Sequence, residues 1–493
     1  MNKITYTKTT NKDITLTISQ QRVFDDLCTF VKSSRERVFI LKGYAGTGKT
    51  TMMRFLVKWL NEERKRFKLI APTGRAAKVL RDLSGSEAST IHSMLYTYKD
   101  FNEDVSEVQT KADSTGQLYM VFEPIKLDVE ETPETIYIID ESSMVADVAP
   151  QKITQAQFGS GRVLTELLNY DQRPKSKFIF IGDPCQLPPV METSSPALSV
   201  DYFKGKNMLA TERQLTEIIR QSEENSIVKA SQRIRGFYSS APETEAIYGN
   251  SVVWGRKLPF SGGSNIIIHA NKEEMLRDYL QCIEGKNYNA ATYLCRGNKT
   301  CDQNSYEIRR RLGFGKSVLE KGDLLLVIQN NMISGLINGD MIEVIEVSSK
   351  TWEKACLTFR QVKVRELTNN IEYTQLLIEN TITQNTLNLD GQQQTALFVD
   401  FCIRMKEKGI SAKKDKDTFD SYLRKDPYLN ALRTTYGYAV TCHKAQGGEW
   451  DDVYVDIPRN ITKNPTKSSY QWVYTSMTRA KKRLHVVNDF FIE

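Results

Sequence analysis

Residues Gly43 to Thr51 read GYAGTGKTT, and this stretch decides how the rest of the chain is interpreted. It follows the apolar run Val38 to Leu41 and precedes the apolar segment Met52 to Leu60, so the local order is strand, loop, helix. The spacing of Gly43, four residues, then Gly48-Lys49-Thr50 is that of a phosphate-binding loop, in which backbone N–H groups and a helix N-terminus surround an anion. The stretch therefore predicts a nucleoside triphosphate site.

Individual residues of this loop have separate predicted roles. The Lys49 ammonium is expected on the β- and γ-phosphates, and the Thr50 hydroxyl is expected to hold Mg²⁺. The glycines allow the backbone to approach the phosphate oxygens closely. The predicted nucleotide contacts in the loop are Gly43, Ala45, Gly46, Thr47, Gly48, Lys49, Thr50 and Thr51.

Composition limits the class of protein without identifying a partner. The chain has 493 residues, of which 40% are hydrophobic, enough for about three to four domains. There is no N-terminal apolar signal region and no uncharged apolar run of the roughly 20 residues that a membrane span needs, so a cytoplasmic protein is expected. Eight scattered cysteines and four histidines indicate neither a zinc site nor a disulfide framework. The net charge of +7 permits a polyanionic partner without requiring one.

Two later strands end in polar side chains that are suited to nucleotide chemistry. The buried strand Thr135 to Ile139 leads into Asp140 and Glu141. Asp140 can hold Mg²⁺, and Glu141 can orient and deprotonate an attacking water. The strand Lys177 to Ile181 leads into a loop in which Gln186 would lie within reach of a γ-phosphate.

Gln20 has two interpretations. It stands at the start of a predicted helix whose N-cap would be Thr17 or Ser19, so it can belong to the cap. Its amide also offers a donor and an acceptor that can pair with an adenine edge. The sequence around Gln20 does not decide between them.

Two turns in the first half of the chain are suited to a phosphodiester backbone. The first contains Pro72, Thr73 and Arg75, and the second contains Thr90 and His92. Turns at the carboxyl edge of a parallel sheet are where ligands bind, and hydroxyls and basic groups can contact phosphates. The same hydroxyls are equally suited to capping helices.

The polar segment from about Tyr96 to Thr132 predicts a small β-hairpin inserted into the first sheet domain. Its turn is the sequence Asp113 to Gly116. Phe101, Tyr119 and Phe122 can stack on bases or pack the hairpin itself.

The ordered motifs resemble those of superfamily 1 helicases, specifically the 5′-to-3′ branch, superfamily 1B, with its RecD-like and phage Dda-like members. The motifs are GYAGTGKT, APTGRAAKVL, STIH, IIDESSM, GDPCQLPPV, LTEIIRQ, YAVTCHKAQGGEWDDV and YTSMTRAKKRL. The resemblance implies an α/β fold with two RecA-like P-loop motor domains, a β-hairpin in the first and an SH3-like β-barrel with a helical insertion in the second. It also implies an ATP-dependent 5′-to-3′ DNA helicase that uses ATP and Mg²⁺.

The resemblance assigns further site residues. Gln20 resembles the adenine-reading glutamine, Gln186 the γ-phosphate sensor, and Glu449 a nucleotide contact. Arg220 and Arg479 resemble two arginine fingers supplied from the second motor domain. The implied catalytic set is Lys49, Glu141, Gln186, Arg220 and Arg479. The implied metal ligands are Thr50 and Asp140. The predicted contacts with single-stranded DNA are Pro72, Thr73, Arg75, Thr90, His92, Phe101, Asn298, Thr441, His443 and Lys444.

The sequence departs from the family pattern at a few positions. Ala445 replaces a frequent serine, and Gly448 stands where another hydroxyl is often found. Arg296-Gly297 stands where a tyrosine-threonine pair is frequent. These departures affect which side chains contact the nucleic-acid backbone.

The implied domain bounds are 1–95 and 133–205 for the first motor domain and 96–132 for its hairpin. The second motor domain is placed at 206–345 and 437–493, with its insertion at 346–436. The expected partners are single-stranded and forked duplex DNA, with single-strand-binding or replication proteins, in replication, recombination or repair. A monomer is expected.

Two alternatives remain open from the sequence. One is an RNA helicase of the same superfamily. The other is an accessory ATP-switch or loading subunit of a recombination complex that binds nucleic acid without unwinding it.

Overall fold

A computed structural model describes residues 6–7, 13–101, 120–150, 156–218, 225–244, 253–384, 388–411 and 414–493. The strands in these ranges are β1 (Tyr6–Thr7), β2 (Asp13–Ile14), β3 (Val38–Gly43), β4 (Phe67–Ala71), β5 (Ala88–Thr90), β6 (Tyr96–Phe101), β7 (Met120–Pro124), β8 (Ile136–Ile139), β9 (Ala156–Phe158), β10 (Lys177–Gly182), β11 (Ala210–Leu215), β12 (Ile266–His269), β13 (Ala291–Cys295), β14 (Leu324–Val327), β15 (Met341–Lys354), β16 (Leu357–Glu366), β17 (Glu372–Ile378), β18 (Thr434–Tyr436), β19 (Val440–Thr441), β20 (Trp450–Val455) and β21 (Ala480–Val487).

The α-helices in the same ranges vary from one turn to about five turns. They are Ile18–Lys32, Lys49–Glu62, Gly74–Ser84, Ile91–Leu95, Val163–Tyr170, Val200–Gly205, Ser226–Ser240, Lys272–Cys282, Asn298–Arg311, Asn380–Thr383, Gly391–Glu407, Lys416–Lys425 and Lys467–Met477. None of the helices described is long and apolar enough to span a bilayer.

The first sheet has parallel strands in the order β11-β3-β10-β8-β4-β5. Strands β8 and β10 are buried along their whole length because helices cover both faces of the sheet. Strand β11 pairs with β3, so this domain extends to Leu215, past the boundary predicted at residue 205. The sequence concealed this strand because ATERQL is polar and only its last residue is buried.

The second sheet is also parallel, in the order β12-β21-β20-β13-β19. Its core includes the helices Ser226–Ser240 and Lys467–Met477 on one face and Lys272–Cys282 on the other. Two parallel sheets covered by helices confirm the predicted pair of RecA-like α/β domains.

The third sheet is antiparallel, in the order β17-β16-β15-β14-β18. A bridge between Leu377 and Leu432 joins β17 to the residues just before β18, so the two edges of the sheet meet. Strand β15 extends across the boundary predicted at residue 346. Its first residues pair with β14, which lies well before that boundary, so this sheet begins earlier in the chain than the predicted insertion. The SH3-like assignment of this sheet stays a prediction.

The arms of the hairpin predicted in the first domain are β6 and β7, which pair antiparallel, with β9 alongside β7. The Phe122 ring stacks on Phe158 with ring centroids 4.7 Å apart, so this aromatic residue packs within the sheet. The predicted turn Asp113 to Gly116 and Tyr119 lie outside the described residues. The Lys416 ammonium donates to the Lys99 carbonyl at 3.2 Å and so connects the helix Lys416–Lys425 to one arm.

Candidate nucleotide site between the two motor domains

The loop between β3 and the helix Lys49–Glu62 closes tightly on itself. The N-cap Gly48 has φ 85°, in the left-handed region that glycine adopts without strain. A Cβ at Gly43 would lie 2.8 Å from both Lys49 Cγ and Thr47 Oγ1, so only glycine fits there. The Thr47 hydroxyl donates to the Tyr44 carbonyl at 2.8 Å, and the Lys49 ammonium donates to the Gly43 carbonyl at 2.7 Å. The main chain thus forms a preshaped loop at the helix N-terminus.

Gln20 is attached to this loop and also serves in a helix cap. Its side-chain Oε1 accepts from the Thr17 backbone N–H at 3.1 Å, as part of a capping box. Its Nε2 donates to the Thr47 carbonyl at 3.1 Å, and the side chain is buried. The cap role is therefore present, and adenine recognition by Gln20 stays a prediction.

Asp140 and Glu141 follow β8 directly and face the cleft between the two sheet domains. Glu141 has φ 49°, an uncommon backbone conformation for a residue other than glycine, of the kind that clusters at functional sites. Its buried Oε2 has no hydrogen-bond partner among the residues described. Burial, followed by the neighbouring Glu141 charge, raises the pKa of Asp140 to about 7. Two desolvated carboxylates with an unpaired oxygen fit a divalent cation, which would relieve their repulsion.

A cavity of about 440 Å³ lies between the domains at this point. It is lined by Thr50, Asp140 and Glu141 from the first domain and by Glu449 and Arg479 from the second. The structure thus brings together predicted nucleotide residues that are hundreds of positions apart in the sequence.

Arg479 is held inside the second domain, just before β21. Its guanidinium donates to the Thr475 carbonyl at 3.0 Å, the Gly448 carbonyl at 3.3 Å and the Thr478 hydroxyl at 3.2 Å. Only 4% of the residue is exposed, yet it lines the cavity. The other predicted arginine finger, Arg220, lies outside the described residues.

Arg75 lines the same cleft, and its predicted contact with DNA stays a prediction. Its guanidinium lies 4.5 Å from the centre of the Trp450 ring. Burial lowers the pKa of Arg75 to about 10. A Cβ at Gly448 would lie 2.6 Å from Arg75 Cζ, so a larger residue there would require the Arg75 side chain to shift.

Gln186 and Leu187 bind their loop to the second domain through main-chain hydrogen bonds. The Leu187 backbone N–H donates to the Thr475 hydroxyl at 2.9 Å, and its carbonyl accepts from Gln446 Nε2 at 3.1 Å. The Gln186 carbonyl accepts from Gln471 Nε2 at 3.1 Å. The buried Gln186 Oε1 has no partner in the part of the chain that the structure describes, and its role as a γ-phosphate sensor stays a prediction.

Tyr474 is a residue that the sequence interpretation did not single out. Its hydroxyl accepts from the Ala45 backbone N–H at 2.9 Å and donates to Asp183 Oδ2 at 2.9 Å. One buried hydroxyl of the second domain therefore bonds both the phosphate-binding loop and the loop that contains Gln186. The only sequence signal was its position five residues before Arg479, at the start of the last motif.

Comparison with known proteins agrees with this arrangement. The family model described as "AAA domain" matches residues 15–243, and the model described as "UvrD-like helicase C-terminal domain" matches residues 436–487. The RecBCD enzyme subunit RecD of Buchnera aphidicola is 23% identical, over 92% of this chain and 71% of that protein. The ATP-dependent DNA helicase dda of Enterobacteria phage T4 is 30% identical, over 42% of this chain and 40% of that protein. These matches indicate a superfamily 1B helicase.

A solved structure of Pif1 helicases at forked double-stranded DNA is also similar to this helicase. It is 16% identical, covers 97% of this chain and 94% of that one, and gives a TM-score of 0.49.

The hydroxyls of Thr73 and Thr90, which are predicted to contact DNA in the first domain, act as helix caps. Thr73 Oγ1 accepts from the Ala76 backbone N–H at 3.2 Å, and Thr90 Oγ1 accepts from that of Ser93 at 3.0 Å. Strands β4 and β5 are neighbours, so half-buried Pro72, Thr73 and Thr90 lie at one edge of the sheet. DNA contact by these residues stays a prediction.

The His92 imidazole packs among aromatic rings. Its centroid lies 4.9 Å from that of Phe158 and 5.6 Å from that of Tyr96. Burial lowers the pKa of His92, so the ring is neutral near pH 7. The side chain of Phe101 lies outside what the structure describes.

The second domain brings three of the remaining predicted contacts into one groove. Asn298, Thr441 and Lys444 line a cavity of about 280 Å³. Burial lowers the pKa of Lys444, and the nearby Asp302 carboxylate opposes this effect. His443 is exposed next to this groove. The groove is therefore the part of the predicted DNA surface that the geometry supports best.

Proposed function

We propose that this helicase hydrolyses ATP in the cleft between its two motor domains and moves 5′-to-3′ along single-stranded DNA, separating forked duplex ahead of it. The observation that carries the proposal is the cavity shared by Thr50, Asp140 and Glu141 on one side and Arg479 on the other. A site built from two domains is complete only when they meet, so hydrolysis and domain movement depend on each other.

The residues present fit Mg²⁺ and ATP. Thr50 and Asp140 would hold the cation, which supplies charge neutralisation to the phosphates when bound. Glu141 orients the attacking water and accepts its proton at a carboxylate oxygen. Lys49 and Arg479 place cationic donors where negative charge builds on the transferring group.

Both cationic side chains are now bonded to groups of their own domains. Lys49 donates to the Gly43 and Tyr44 carbonyls, and Arg479 donates to the Thr475 and Gly448 carbonyls. We infer that these bonds are exchanged for phosphate oxygens when nucleotide binds. The exchange keeps the Lys49 ammonium and the Arg479 guanidinium hydrogen-bonded throughout, because a buried charge without a partner costs free energy.

Unwinding assays on tailed duplexes test the proposal. We expect release of the strand from a 5′-tailed DNA duplex and little from a 3′-tailed one, with ATPase activity stimulated by single-stranded DNA. Matched RNA substrates separate the alternative, because a groove that uses the 2′-OH gives stimulation selective for RNA. ATP hydrolysis without strand release on any substrate would favour the non-unwinding switch and contradict the helicase activity.

Tyr474→Phe tests whether contact between the domains couples DNA binding to hydrolysis. The change removes one hydroxyl that bonds Ala45 and Asp183, at a cost of ~1–3 kcal/mol for the buried groups left unpaired. We expect the DNA-stimulated kcat to fall about tenfold, corresponding to about 1.4 kcal/mol, with nucleotide affinity little changed.

The matched control for this change is Tyr470→Phe on the same helix. Stimulated and unstimulated ATPase rates are measured together with the melting temperature. Equal loss of both rates, or a fall in melting temperature without any loss of stimulation, would argue that Tyr474 only supports the fold.

A further inference from the structure

A cluster of two histidines and an aspartate lies in the second motor domain, outside the nucleotide cleft. His269 ends β12, His485 lies in β21, and Asp278 comes from the helix that packs over these strands. His485 Nδ1 lies 3.0 Å from His269 Nε2 and 3.1 Å from Asp278 Oδ2. The third separation, from His269 Nε2 to Asp278 Oδ2, is 3.8 Å. Three ligand atoms therefore converge on one point.

The hydrogen bonds of this cluster leave one close contact, between His485 Nδ1 and Asp278 Oδ2, without a proton between the two atoms. His485 Nε2 lies 3.0 Å from Asp452 Oδ1, which places a proton on Nε2 and leaves the Nδ1 lone pair facing the cluster. His269 Nε2–H can then donate to Nδ1, but no proton lies between Nδ1 and Asp278. If His485 carries a second proton, that proton is on Nδ1. It can point at Asp278 Oδ2 or at His269 Nε2, but one proton cannot form a linear hydrogen bond with both.

We propose that His269, Asp278 and His485 bind a zinc ion. Two imidazole nitrogens and one carboxylate oxygen are a donor set of zinc sites with three protein ligands. Zinc–ligand distances of about 2.0–2.1 Å in a tetrahedron place ligand atoms about 3.3 Å apart. The three observed separations, 3.0, 3.1 and 3.8 Å, lie on both sides of that value.

The surroundings of the cluster also match a metal site. The Asp452 carboxylate orients His485 and is itself held by the Arg483 guanidinium, the arrangement that fixes imidazole ligands in metal sites. The Tyr454 hydroxyl donates to Asp278 Oδ2 at 2.8 Å and lies 3.2 Å from Cys282 Sγ. Asp278 is the exposed side of the cluster, with 40% of its side chain accessible, so the fourth position is open to water.

The proposed zinc site is separate from the nucleotide site. His485 follows Arg479 by six residues along β21, which is about 20 Å at about 3.3 Å per residue. The ion would join the edge strand β12 to β21 and to the helix Lys272–Cys282. Its effect is therefore on the stability of the second domain. The spacing of cysteines and histidines in the sequence did not indicate this zinc site, because its two histidines are 216 positions apart.

Zinc titration of the full chain tests the site. The protein is dialysed against a chelator, returned to buffer with excess Mg²⁺ to saturate the carboxylates of the cleft, and titrated with Zn²⁺ by calorimetry. We expect one zinc ion per chain and a melting temperature several degrees higher with zinc. Asp278→Asn, which keeps the shape of the side chain, is expected to weaken zinc binding about tenfold or more. Glu284→Gln changes an exposed carboxylate just beyond the same helix and is expected to bind zinc like the unchanged chain.

Cobalt gives a second measurement that does not depend on stability. Co²⁺ in a tetrahedral site absorbs visible light strongly, and we expect these bands in the unchanged chain and in Glu284→Gln but not in His269→Ala. Circular dichroism establishes that each variant is folded. The proposal is overturned if the unchanged chain binds no more zinc than Asp278→Asn, or if the cobalt bands persist in folded His269→Ala.

Discussion

Glu141→Gln is expected to reduce the ATPase kcat at least about 100-fold, because an amide cannot accept the proton of the attacking water. Glutamine has the same shape and tolerates the same left-handed backbone, with φ 49°. The buried Oε2, which lacks a hydrogen-bond partner in the described structure, is the oxygen available to that water. Affinities for nucleotide and single-stranded DNA are expected to stay close to those of the unchanged chain.

The measurement is steady-state hydrolysis with saturating single-stranded DNA, together with nucleotide binding at equilibrium. Glu192→Gln is the matched control, since Glu192 lies in the same domain and its side chain accepts from the Asp147 backbone N–H. A kcat within a few fold of the unchanged chain would remove Glu141 from the catalytic role. A parallel loss of nucleotide binding would assign it to binding instead.

The sequence predicted the parts of the site that follow strands directly. The loop from Gly43 to Thr51 and the pair Asp140 and Glu141 come after short apolar runs that are typical of buried strands, and the carboxyl edge of a parallel sheet brings such ends together. The local sequence was sufficient to predict these positions, because each residue is placed by the strand that directly precedes it. The pairing of the two motor domains also followed from the order of the motifs.

The sequence could not predict which side chains would meet across the cleft. Arg75 belongs to a turn that suggested a phosphate contact, yet it packs on Trp450 because the second domain closes over that turn. Tyr474 was one aromatic residue among many until its hydroxyl was found between Ala45 and Asp183. Such contacts depend on how two domains dock, and no periodicity along the chain encodes that.

The bounds of the domains were missed for a related reason. Strand β11 is polar and lies at an edge, so its pairing with β3 left no apolar run in the sequence. Strands β14 and β15 pair antiparallel across the predicted boundary at residue 346. Pairing partners, not local composition, decide where these domains end.

Arg479→Lys is expected to lower kcat about 1,000-fold, as for loss of an arginine finger. Lysine keeps the charge but lacks the planar guanidinium fork, whose N–H donors match phosphate oxygens in a bidentate geometry. In the structure the guanidinium bonds the Thr475 and Gly448 carbonyls while it lines the cavity. The loss is therefore expected in the chemical step, measured by single-turnover hydrolysis, with a smaller change in nucleotide affinity.

A purely structural role for Arg479 makes a different prediction. If the guanidinium only supports Thr475 and Gly448, Arg479→Lys lowers the melting temperature and leaves single-turnover hydrolysis nearly unchanged. Lys482→Ala, on the same strand and paired with Asp451 at the surface, is the control for general effects on this strand. Free guanidinium added to Arg479→Ala distinguishes the two roles further, because it can restore charge at the transferring phosphoryl group. A rate that guanidinium raises in Arg479→Ala, but not in Lys482→Ala, locates the missing group at the phosphates.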